Sequence, residues 1–246
     1  MAKKNILFAA FEASPFIKTG GLGDVSGALP VHLKNDKYDA RVILPLISSI
    51  PEEYKNRWKE AFEKEQKLYL ELGCGKGKFI SKLSKQNQEI NYIAIDLVDA
   101  MLGLAKRNVE QVFKEKNIET DNIILTRFDI DRILLILSEE DKIDRIYINF
   151  CNPWPKGKHR KKRLTHTRQL EKYKTFLKEN GEIYFKTDDD DLFNSSLKYF
   201  EETGFKIIKK TYDLHSEPDF WYNIETEHEK MFSEQGIKIK AVIAKR

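Results

Sequence analysis

The chain has 246 residues, enough for one large α/β domain or for a medium-sized domain with an appendage. Hydrophobic residues make up 41% and charged residues 33% of the sequence, a composition that supports a folded core and excludes collagenous and wholly disordered chains. The 43 basic and 39 acidic residues leave a formal net charge of +4, so a nucleic-acid partner must be inferred from local clusters of charge.

Several kinds of site and partner are not expected. Cys74 and Cys151 are too few for a disulfide framework or a four-cysteine metal site, and the 5 histidines form no metal-binding pattern. No stretch approaches the roughly 18 consecutive apolar residues of a membrane helix, and the first residues show no clear export-signal cleavage site. We therefore expect a cytoplasmic protein without a membrane or metal partner, either a monomer or a homodimer.

The first 50 residues predict one βαβ unit. Apolar strands are expected at residues 6–10 and 40–44, with a helix at residues 24–33 between them. Such a unit has two parallel strands with open edges, so we interpret it as the first piece of a doubly wound domain whose remainder is missing.

A second series of elements begins at Pro51, which suits the first turn of a helix carrying Trp58 and Phe62. Amphipathic helices alternate with strands, and this alternation predicts a mostly parallel sheet. The predicted strands are residues 68–72, 91–95, 123–126, 145–149, 182–186, 206–211 and 237–244. We therefore divide the chain into two domains, residues 1–50 and 51–246.

The first strand of the second domain runs directly into a glycine loop, residues 73–77. A strand, a tight glycine turn and a helix N-terminus bring backbone close to a ligand. Asp96 ends the next strand, where a carboxylate can accept hydrogen bonds from both hydroxyls of a ribose. The alternative is an ordinary turn with a capping aspartate.

This pattern resembles class I S-adenosylmethionine-dependent methyltransferases. The resemblance implies an α/β, Rossmann-like fold with a mostly parallel seven-stranded sheet, here with an N-terminal βαβ extension, and S-adenosylmethionine as the cofactor. It places Gly73 and Gly75 beside the methionine part and Asp96 at the ribose. Asp129 stands where this class has an acid near the adenine amino group, although it could equally cap a helix.

A basic segment, residues 156–163, follows the strand at residues 145–149. Six of its eight residues are Lys or Arg and none is acidic, so it is a concentrated positive charge at the carboxyl edge of the sheet. A nucleic-acid phosphate backbone is the expected partner, and a solvated charged loop is the alternative. The six basic residues are Lys156, Lys158, Arg160, Lys161, Lys162 and Arg163.

Residues 51–246 resemble bacterial tRNA (guanine-N7)-methyltransferases. The matching motifs are Glu71-Leu72-Gly73, Asn149-Phe150 with Pro153-Trp154-Pro155-Lys156, Lys161 to His166, Gly181-Glu182-Ile183 with Phe185-Lys186-Thr187-Asp188, Asp213-Leu214-His215 and Thr226-Glu227-His228-Glu229. The resemblance implies methylation of N7 of guanine 46 in the variable loop of tRNA. Two other interpretations stay open: an amino-methyltransferase, disfavoured because the second proline of Asn152-Pro153-Trp154-Pro155 follows the aromatic residue, and an inactive RNA-binding chimera.

The resemblance also assigns residues. Glu71, Asp96 and Asp129 match the family's cofactor contacts, and Asn152 stands where the family more often has an aspartate that touches the cofactor. An asparagine can accept a hydrogen bond there but adds no negative charge and cannot act as a base. The residues that match substrate-binding positions are Lys156, Asp188, Thr226, Glu227, His228 and Glu229, with His228 in place of a more usual tyrosine.

The implied chemistry needs little from the protein beyond alignment. Guanine N7 carries a free lone pair, so attack on a sulfonium methyl requires orientation and loss of water rather than a base. Cys74 and Cys151 are therefore interpreted as packing residues. Asp188 can accept from N1–H and the exocyclic amine of guanine, which makes it, with Asn152, the candidate catalytic residue, while the aspartates after Asp188 are expected to cap a helix.

The N-terminal segment resembles a different family. Residues 9–25 and 41–45, including Lys18-Thr19-Gly20-Gly21, resemble the start of bacterial glycogen (starch) synthases, in which the Lys-x-Gly-Gly loop contributes to the ADP-glucose site. That class closes a nucleotide-sugar site between two large domains, and about 50 residues cannot supply both walls. The chain therefore looks like a fusion, with an ADP-glucose-binding fragment as the alternative function.

Overall fold

The computed structural model describes residues 4–35, 37–44, 58–115, 120–221 and 223–246. The chain divides into two compact units, Met1–Arg57 and Trp58–Arg246. In the first unit, strands β1 (Lys4–Ala9) and β2 (Tyr38–Ile43) pair in parallel on either side of helix α1 (Gly21–Leu33). The predicted βαβ unit is confirmed, with α1 beginning three residues earlier than expected.

The second unit contains one sheet of seven strands, as predicted. In chain order its elements are β3 (Lys67–Leu72), α2 (Lys78–Gln86), β4 (Ile90–Asp96), α3 (Asp99–Lys114), β5 (Ile123–Arg127), β6 (Ile143–Asn149), α4 (Thr167–Phe176), β7 (Leu177–Thr187), α5 (Asp190–Glu202), β8 (Lys206–Thr211), α6 (Glu227–Glu234) and β9 (Lys240–Lys245). The predicted helix from Pro51 lies partly outside the described residues. Where the description resumes, Trp58–Ala61 form one 3₁₀ turn.

The strand order is β5-β4-β3-β6-β7-β9-β8. Strands β3 to β7 are mutually parallel, and β9 runs antiparallel to both β7 and β8. The chain moves outward from β3 in one direction to β4 and β5, and then returns to the other side of β3 with β6. A parallel sheet opens a crevice where its strand order reverses, at the carboxyl ends of the strands.

The two faces of the sheet differ in chemistry. On one face, alternating residues of the strands belong to a continuous apolar core. Leu70, Ile148 and Phe185 are examples, and all three are fully buried. The alternation of side chains along a strand sends Glu71, Asn149 and Lys186 to the opposite face. Polar side chains are therefore presented together near the carboxyl edge, which prepares the site.

Candidate active site

A pocket of about 290 Å³ lies at the carboxyl ends of β3 and β6. The glycine loop and the start of α2 form one side, and the N-terminus of α6 forms another. The lining residues are Glu71, Gly73, Cys74, Gly75, Lys76, Gly77, Lys78, Phe79, Met101, Asn149, Phe150, Thr226, Glu227 and His228.

The glycine loop needs glycine for two reasons. Gly73, Gly75 and Gly77 all have φ between +52° and +79°, a backbone region that other residues rarely adopt. At Gly77 a Cβ would also lie 2.7 Å from the Cβ of Ala105 on α3. The loop therefore packs closely on α3, and an alanine at Gly77 would displace it.

Glu71 is the buried acid of the pocket, with only 2% of its surface exposed. Its Oε1 accepts a hydrogen bond of 3.1 Å from Asn149 Nδ2, while its Oε2 has no hydrogen-bond partner among the described residues. Burial raises the pKa of Glu71 to about 7, against the opposing effects of the Asn149 hydrogen bond and the Lys186 charge. A buried carboxylate oxygen without a partner is a binding position for a cation.

These features fit the cofactor implied by the fold. The methionine end of S-adenosylmethionine carries an ammonium group, and Glu71 Oε2 offers it an acceptor inside the pocket. The pocket volume suits that amino-acid end, and the glycine loop supplies a close backbone wall. The residues present therefore fit S-adenosylmethionine.

Asp96 and Asp129 occupy different positions from Glu71, and neither lines the pocket. Asp96 Oδ2 accepts a 2.8 Å bond from Gly75 N and Oδ1 accepts a 2.9 Å bond from Val98 N, so this side chain ties the glycine loop to β4. Each oxygen retains a lone pair for a further donor. Asp129 is exposed and caps a short 3₁₀ helix through Asp131 N, as the capping alternative anticipated. Their ribose and adenine contacts stay predictions.

The loop after β6 is held in an unusual backbone conformation. Phe150 and Trp154 have φ of 51° and 44°, a region that disfavours bulky side chains. The exposed Asn152 accepts a 3.0 Å bond from Trp154 N through Oδ1, so its carbonyl oxygen stabilises the turn. Strain of this kind is found at functional sites, and here it directs Phe150 into the pocket.

The basic segment forms a 3₁₀ helix, Gly157–Lys162, that is largely exposed. No ion pair found among the described residues involves Lys156, Lys158 or Lys161. Lys162 Nζ lies 4.9 Å from the centroid of the Trp154 ring. These lysines present positive charge to solvent next to the pocket.

Arg163 differs from the other basic residues because its side chain is completely buried. Its Nε donates to Pro153 O at 2.6 Å, and its Nη2 donates to Asp191, which also pairs with the half-exposed Arg160 at 3.1 Å. The expectation that Arg163 faces RNA is therefore not met by this structure. Its guanidinium instead fastens the loop after β6 to α5.

Asp188 follows the carboxyl end of β7 and lies near His228, which lines the pocket. Asp189 caps α5 through a 2.6 Å bond from Leu192 N, in agreement with the expected capping role. Asp188 is half-buried, and burial raises the pKa of its carboxyl, with nearby Lys240 and His228 acting in the opposite direction. The aspartate predicted to meet substrate is thus the one not used as a cap.

His228 is exposed and stacks on Phe150, with ring centroids 6.1 Å apart and an angle of 22° between the rings. Phe150 and His228 both line the pocket, and Asp188 lies close enough for His228 to lower the pKa of its carboxyl. An aromatic surface and a carboxyl group therefore adjoin the cofactor pocket, an arrangement suited to a planar base.

The segment 226–229 begins α6 with a capping box. Thr226 Oγ1 accepts from Glu229 N at 3.0 Å, and Glu229 Oε2 accepts from Thr226 N at 3.3 Å. Glu229 is completely buried and pairs with Lys186 at 2.5 Å and with His215 at 2.8 Å. The predicted direct contact of Glu229 with RNA is therefore not met, because this carboxylate is enclosed by protein partners.

Glu227 extends from the same helix end across the pocket mouth. It pairs with Lys78 and, at 3.3 Å, with Lys76, and these pairs lower the pKa of its carboxyl. The lysines belong to the glycine loop and the start of α2, so Glu227 links two walls of the pocket. Of the predicted segment, only Glu227 and His228 are exposed.

Sequence reasoning missed the partners of these acids. Asn149, Lys186, His215 and Asn223 surround Glu71 and Glu229, and none of them was predicted as a site residue. A signal was present at Lys186, since a lysine that directly follows the apolar run Ile183-Tyr184-Phe185 within a central strand requires a buried partner.

The cysteines have no features of nucleophiles. Burial raises the pKa of the Cys151 thiol to about 12 and also raises that of Cys74. Within the described ranges no group of three or more His, Cys, Asp or Glu residues could hold a metal ion. None of the described helices is long and apolar enough to cross a membrane.

A second cavity, of about 750 Å³, lies along the same face of the sheet toward the amino ends of the strands. Tyr69, Tyr147, Tyr184 and Trp221 contribute much of its wall. Arg145 lies over the Tyr184 ring, but its guanidinium already donates to Glu182 and to the Tyr147 hydroxyl. We therefore place the reactive site at the carboxyl edge, where Glu71 still has a free acceptor.

Comparison with known proteins identifies the family. Residues 65–242 match a family described as "Putative methyltransferase". The chain is 63% identical over 194 residues to a tRNA (guanine-N(7)-)-methyltransferase of Clostridium beijerinckii, covering 79% of this chain and 88% of the relative. The chain belongs to the tRNA (guanine-N(7)-)-methyltransferase family. Relatives with the same description in Clostridium perfringens and Acetivibrio thermocellus are 56% and 52% identical, each covering 80% of this chain and 90% and 89% of the relative.

Solved structures support the methyltransferase fold. The 16S rRNA methyltransferase KamB aligns with a TM-score of 0.55 and 13% identity, over 77% of this chain and 90% of that chain. The aminoglycoside resistance methyltransferase NpmB1 also aligns with a TM-score of 0.55, at 17% identity, over 80% of this chain and 96% of that chain. At these identities the similarity concerns the fold alone.

Proposed function

We propose that this protein transfers the methyl group of S-adenosylmethionine to N7 of guanine 46 in the variable loop of tRNA, in the cytoplasm. The observation that carries the proposal is the buried Glu71 oxygen without a partner, placed beside a glycine loop at the carboxyl edge of the sheet. The name of the relatives gives the substrate, and the pocket of this chain has the chemistry for the methyl donor.

The cofactor supplies an electrophilic methyl group on a sulfonium. Since guanine N7 is already nucleophilic, the protein has to align the base, exclude water and bind the cofactor's charged ends. Glu71 accepts from the ammonium, and the glycine loop fixes the backbone wall around it. Asn152 cannot act as a base, and none is needed for this reaction.

The rim of the pocket supplies base recognition. Asp188 accepts from N1–H and the exocyclic amine of guanine, a donor pair that adenine does not offer. Phe150 and His228 provide the aromatic surface against which the base stacks. The lysines at positions 156, 158, 161 and 162 bind the phosphate backbone and orient the variable loop.

A labelling experiment tests the function. Tritiated methyl from S-adenosylmethionine should enter unmodified tRNA, and nucleoside analysis should find the label as 7-methylguanosine. The same tRNA with guanine 46 replaced by adenine is the matched control and should remain unlabelled. Label in another nucleoside, or equal label in both tRNAs, would contradict the assignment.

We further propose that residues 1–50 are a fragment of glycogen-synthase type without glycosyl transfer activity. In the described part of this unit, Glu12 accepts from Thr19 N and, at 3.1 Å, from Gly23 N, and Lys18 pairs with Asp24 at 2.7 Å. Lys18 and the backbone N–H groups of Thr19 and Gly23 are thus already paired within this unit, which leaves fewer donors for a phosphate. The full chain should show no ADP-glucose-dependent glucan elongation, and measurable elongation would refute this proposal.

A further inference from the structure

Lys186 is a buried cation on the same face of the sheet as Glu71, where it lines the second cavity. Only 1% of its side chain is exposed, and its Nζ donates to Glu229 Oε2 at 2.5 Å, Asn223 Oδ1 at 2.8 Å and Ile224 O at 3.0 Å. Asn223 and Ile224 lie in the segment leading into α6, and Glu229 lies in the first turn of α6 itself. An ammonium group so fully satisfied is fixed in position.

The same ammonium faces the pocket wall from behind. Asn149 pairs with Lys186 across β6 and β7, and Glu71 pairs with Tyr147 across β3 and β6, so Glu71, Asn149 and Lys186 project from one face of three adjacent strands. Lys186 Nζ lies 5.5 Å from the centroid of the Phe79 ring, and Phe79 lines the pocket. The positive charge is therefore immediately behind Glu71.

When Glu71 is ionised, the charges of this cluster do not balance without a ligand. Glu71 and Glu229 are two buried carboxylates, and Lys186 is the one buried ammonium among the described residues that contact them. Glu229 is also bonded to His215 and Asn223, so Glu71 is the acid left with an unpartnered oxygen. A ligand ammonium at Glu71 would complete the balance.

We propose that Lys186 is a positioning residue for the cofactor, which keeps the Glu71 carboxylate ionised and directed into the pocket while Glu229 anchors the lysine. This inference rests on the proposed use of S-adenosylmethionine and extends it to residues that do not touch the cofactor. Lys186 acts through Glu71, and Glu229 acts through Lys186.

Other charged and titratable groups around Glu71 also affect its ionisation. Asp96 from β4 disfavours its ionisation, Asn149 from β6 favours it, and Cys74 from the glycine loop lies next to it. Further out, the pocket is lined by Lys76, Lys78, Glu227 and His228, of which the first three form exposed ion pairs. Lys186 is the cation that acts directly on Glu71, and its charge favours the ionised carboxylate.

The test measures binding of S-adenosylhomocysteine by calorimetry between pH 5.5 and 8.5. For the unaltered protein, affinity should fall about tenfold per pH unit below the Glu71 transition near pH 7, because ligand binding favours the ionised carboxylate. Lys186→Met should move this transition upward by about one unit and weaken binding at pH 7 about fivefold, because the ionised fraction of Glu71 falls from about one half to about one eleventh. Glu229→Gln removes the competing carboxylate and should move the transition downward.

Lys178→Met is the matched control, because Lys178 lies on the same strand, pairs with Asp144 at 2.7 Å and is remote from the pocket. It should leave the transition unchanged. A purely structural role of Lys186 would lower affinity equally at every pH, and that result would overturn the inference. Shifts of the same sign in Lys186→Met and Glu229→Gln would overturn it as well.

If Lys186→Met does not fold, the inference can still be tested with Glu229→Gln and with the proton release of the unaltered protein. Heats of binding in buffers of different ionisation enthalpy should show about one proton released at pH 6, and less in Glu229→Gln. Equal release in both proteins would refute the role of the pair. Absence of S-adenosylhomocysteine binding at every pH would instead refute the proposed cofactor, which is a separate failure.

Discussion

At the scale of single residues, Glu71 shows how a side chain suited to ligand binding can lower the stability of the folded protein. The carboxyl is buried beside an apolar core strand, where its charged form is poorly solvated. Asn149 and Lys186 compensate only in part, which leaves its pKa near 7 rather than at the usual value of 4.5. The unpartnered oxygen that makes the pocket useful to an ammonium is thus unfavourable in the empty protein.

Replacing this acid should therefore stabilise the fold. The unfolded chain loses the Glu71 proton near pH 4.5 and the folded chain near pH 7, so the stability contributed by this group falls as the pH rises between those values. Glu71→Gln should raise the free energy of unfolding by about 2–3 kcal/mol at pH 8 and have no such effect at pH 4. Denaturant titrations at both pH values measure the difference.

The same variant should lose measurable affinity for S-adenosylhomocysteine, because a neutral amide cannot replace the charged acceptor. Stabilisation without loss of binding would mean that the ammonium lies elsewhere. Equal stability of both proteins at pH 8 would mean that water or a neighbouring group already solvates the Glu71 charge.

Two arginines that share one partner provide a second comparison. Arg163 is completely buried and bonded to Pro153 and Asp191, whereas Arg160 is 42% exposed and pairs with the same aspartate. Arg163→Met should lower the free energy of unfolding by about 2–3 kcal/mol, because the hydrogen bond to Pro153 O and tight packing are removed. Arg160→Met should change it by less than about 0.5 kcal/mol.

Thermal and denaturant unfolding of both variants check this pair. An equal, small effect of the two substitutions would show that Arg163 does not fasten the loop after β6. In that case Arg163 would again be a candidate for contact with RNA.

At the scale of elements, local patterns were sufficient for much of the fold. The central strands were predicted because parallel strands buried on both faces read as apolar runs, and the glycine loop followed from its place between a strand and a helix, whereas the role of Glu71 was implied by the family resemblance. The capping box of α6 carries the recognisable Thr-x-x-Glu spacing, yet that segment was assigned to substrate binding.

Burial created by distant partners could not be predicted. Arg163 meets Asp191, 28 positions away, and Glu229 meets Lys186, 43 positions away, so neither enclosure is visible in local sequence. Within a run of basic residues, Arg163 looks the same as its exposed neighbours. The pairing of strands, which brings Asn149 and Lys186 behind Glu71, is likewise a property of the assembled sheet.

The exposed lysines of the basic segment give a prediction for an element. Changing Lys156, Lys158 and Lys161 together to Ser should weaken tRNA binding and reduce the slope of log affinity against log salt by about 0.7–0.9 for each phosphate that the protein no longer neutralises. The lysines Lys198, Lys206 and Lys210 are also exposed, on α5 and β8, and the same triple change there alters the net charge equally.

Filter binding at several salt concentrations separates the two variants. The control should keep nearly the original slope, since its lysines do not lie beside the pocket. Equal slopes for both triple variants would mean that the basic segment is a solvated charged loop that affects tRNA binding only through the net charge of the protein. Binding of S-adenosylhomocysteine should be unchanged in both.

At the scale of the whole molecule, the two units differ in the size of their apolar cores, and therefore in their ability to fold independently. The second unit has seven strands and a continuous core that includes Trp58 and Phe62 at its start. In its described residues the first has two strands and one helix, and leaves large apolar side chains exposed, such as Phe11 at 82%, Val31 at 71% and Leu7 at 67%. Units this small are marginally stable even when their cores are complete.

The chain beginning at Pro51 should therefore fold by itself. We expect cooperative thermal unfolding and the same affinity for S-adenosylhomocysteine as the full chain, because every lining residue of the pocket lies in the second unit. Residues 1–50 alone should lack cooperative unfolding, since one βαβ unit cannot cover its own apolar surface. Calorimetric scans of the three proteins provide the comparison. If the shortened chain did not unfold cooperatively, residues 1–50 would be an integral part of the methyltransferase fold, and the division into independent domains would be wrong.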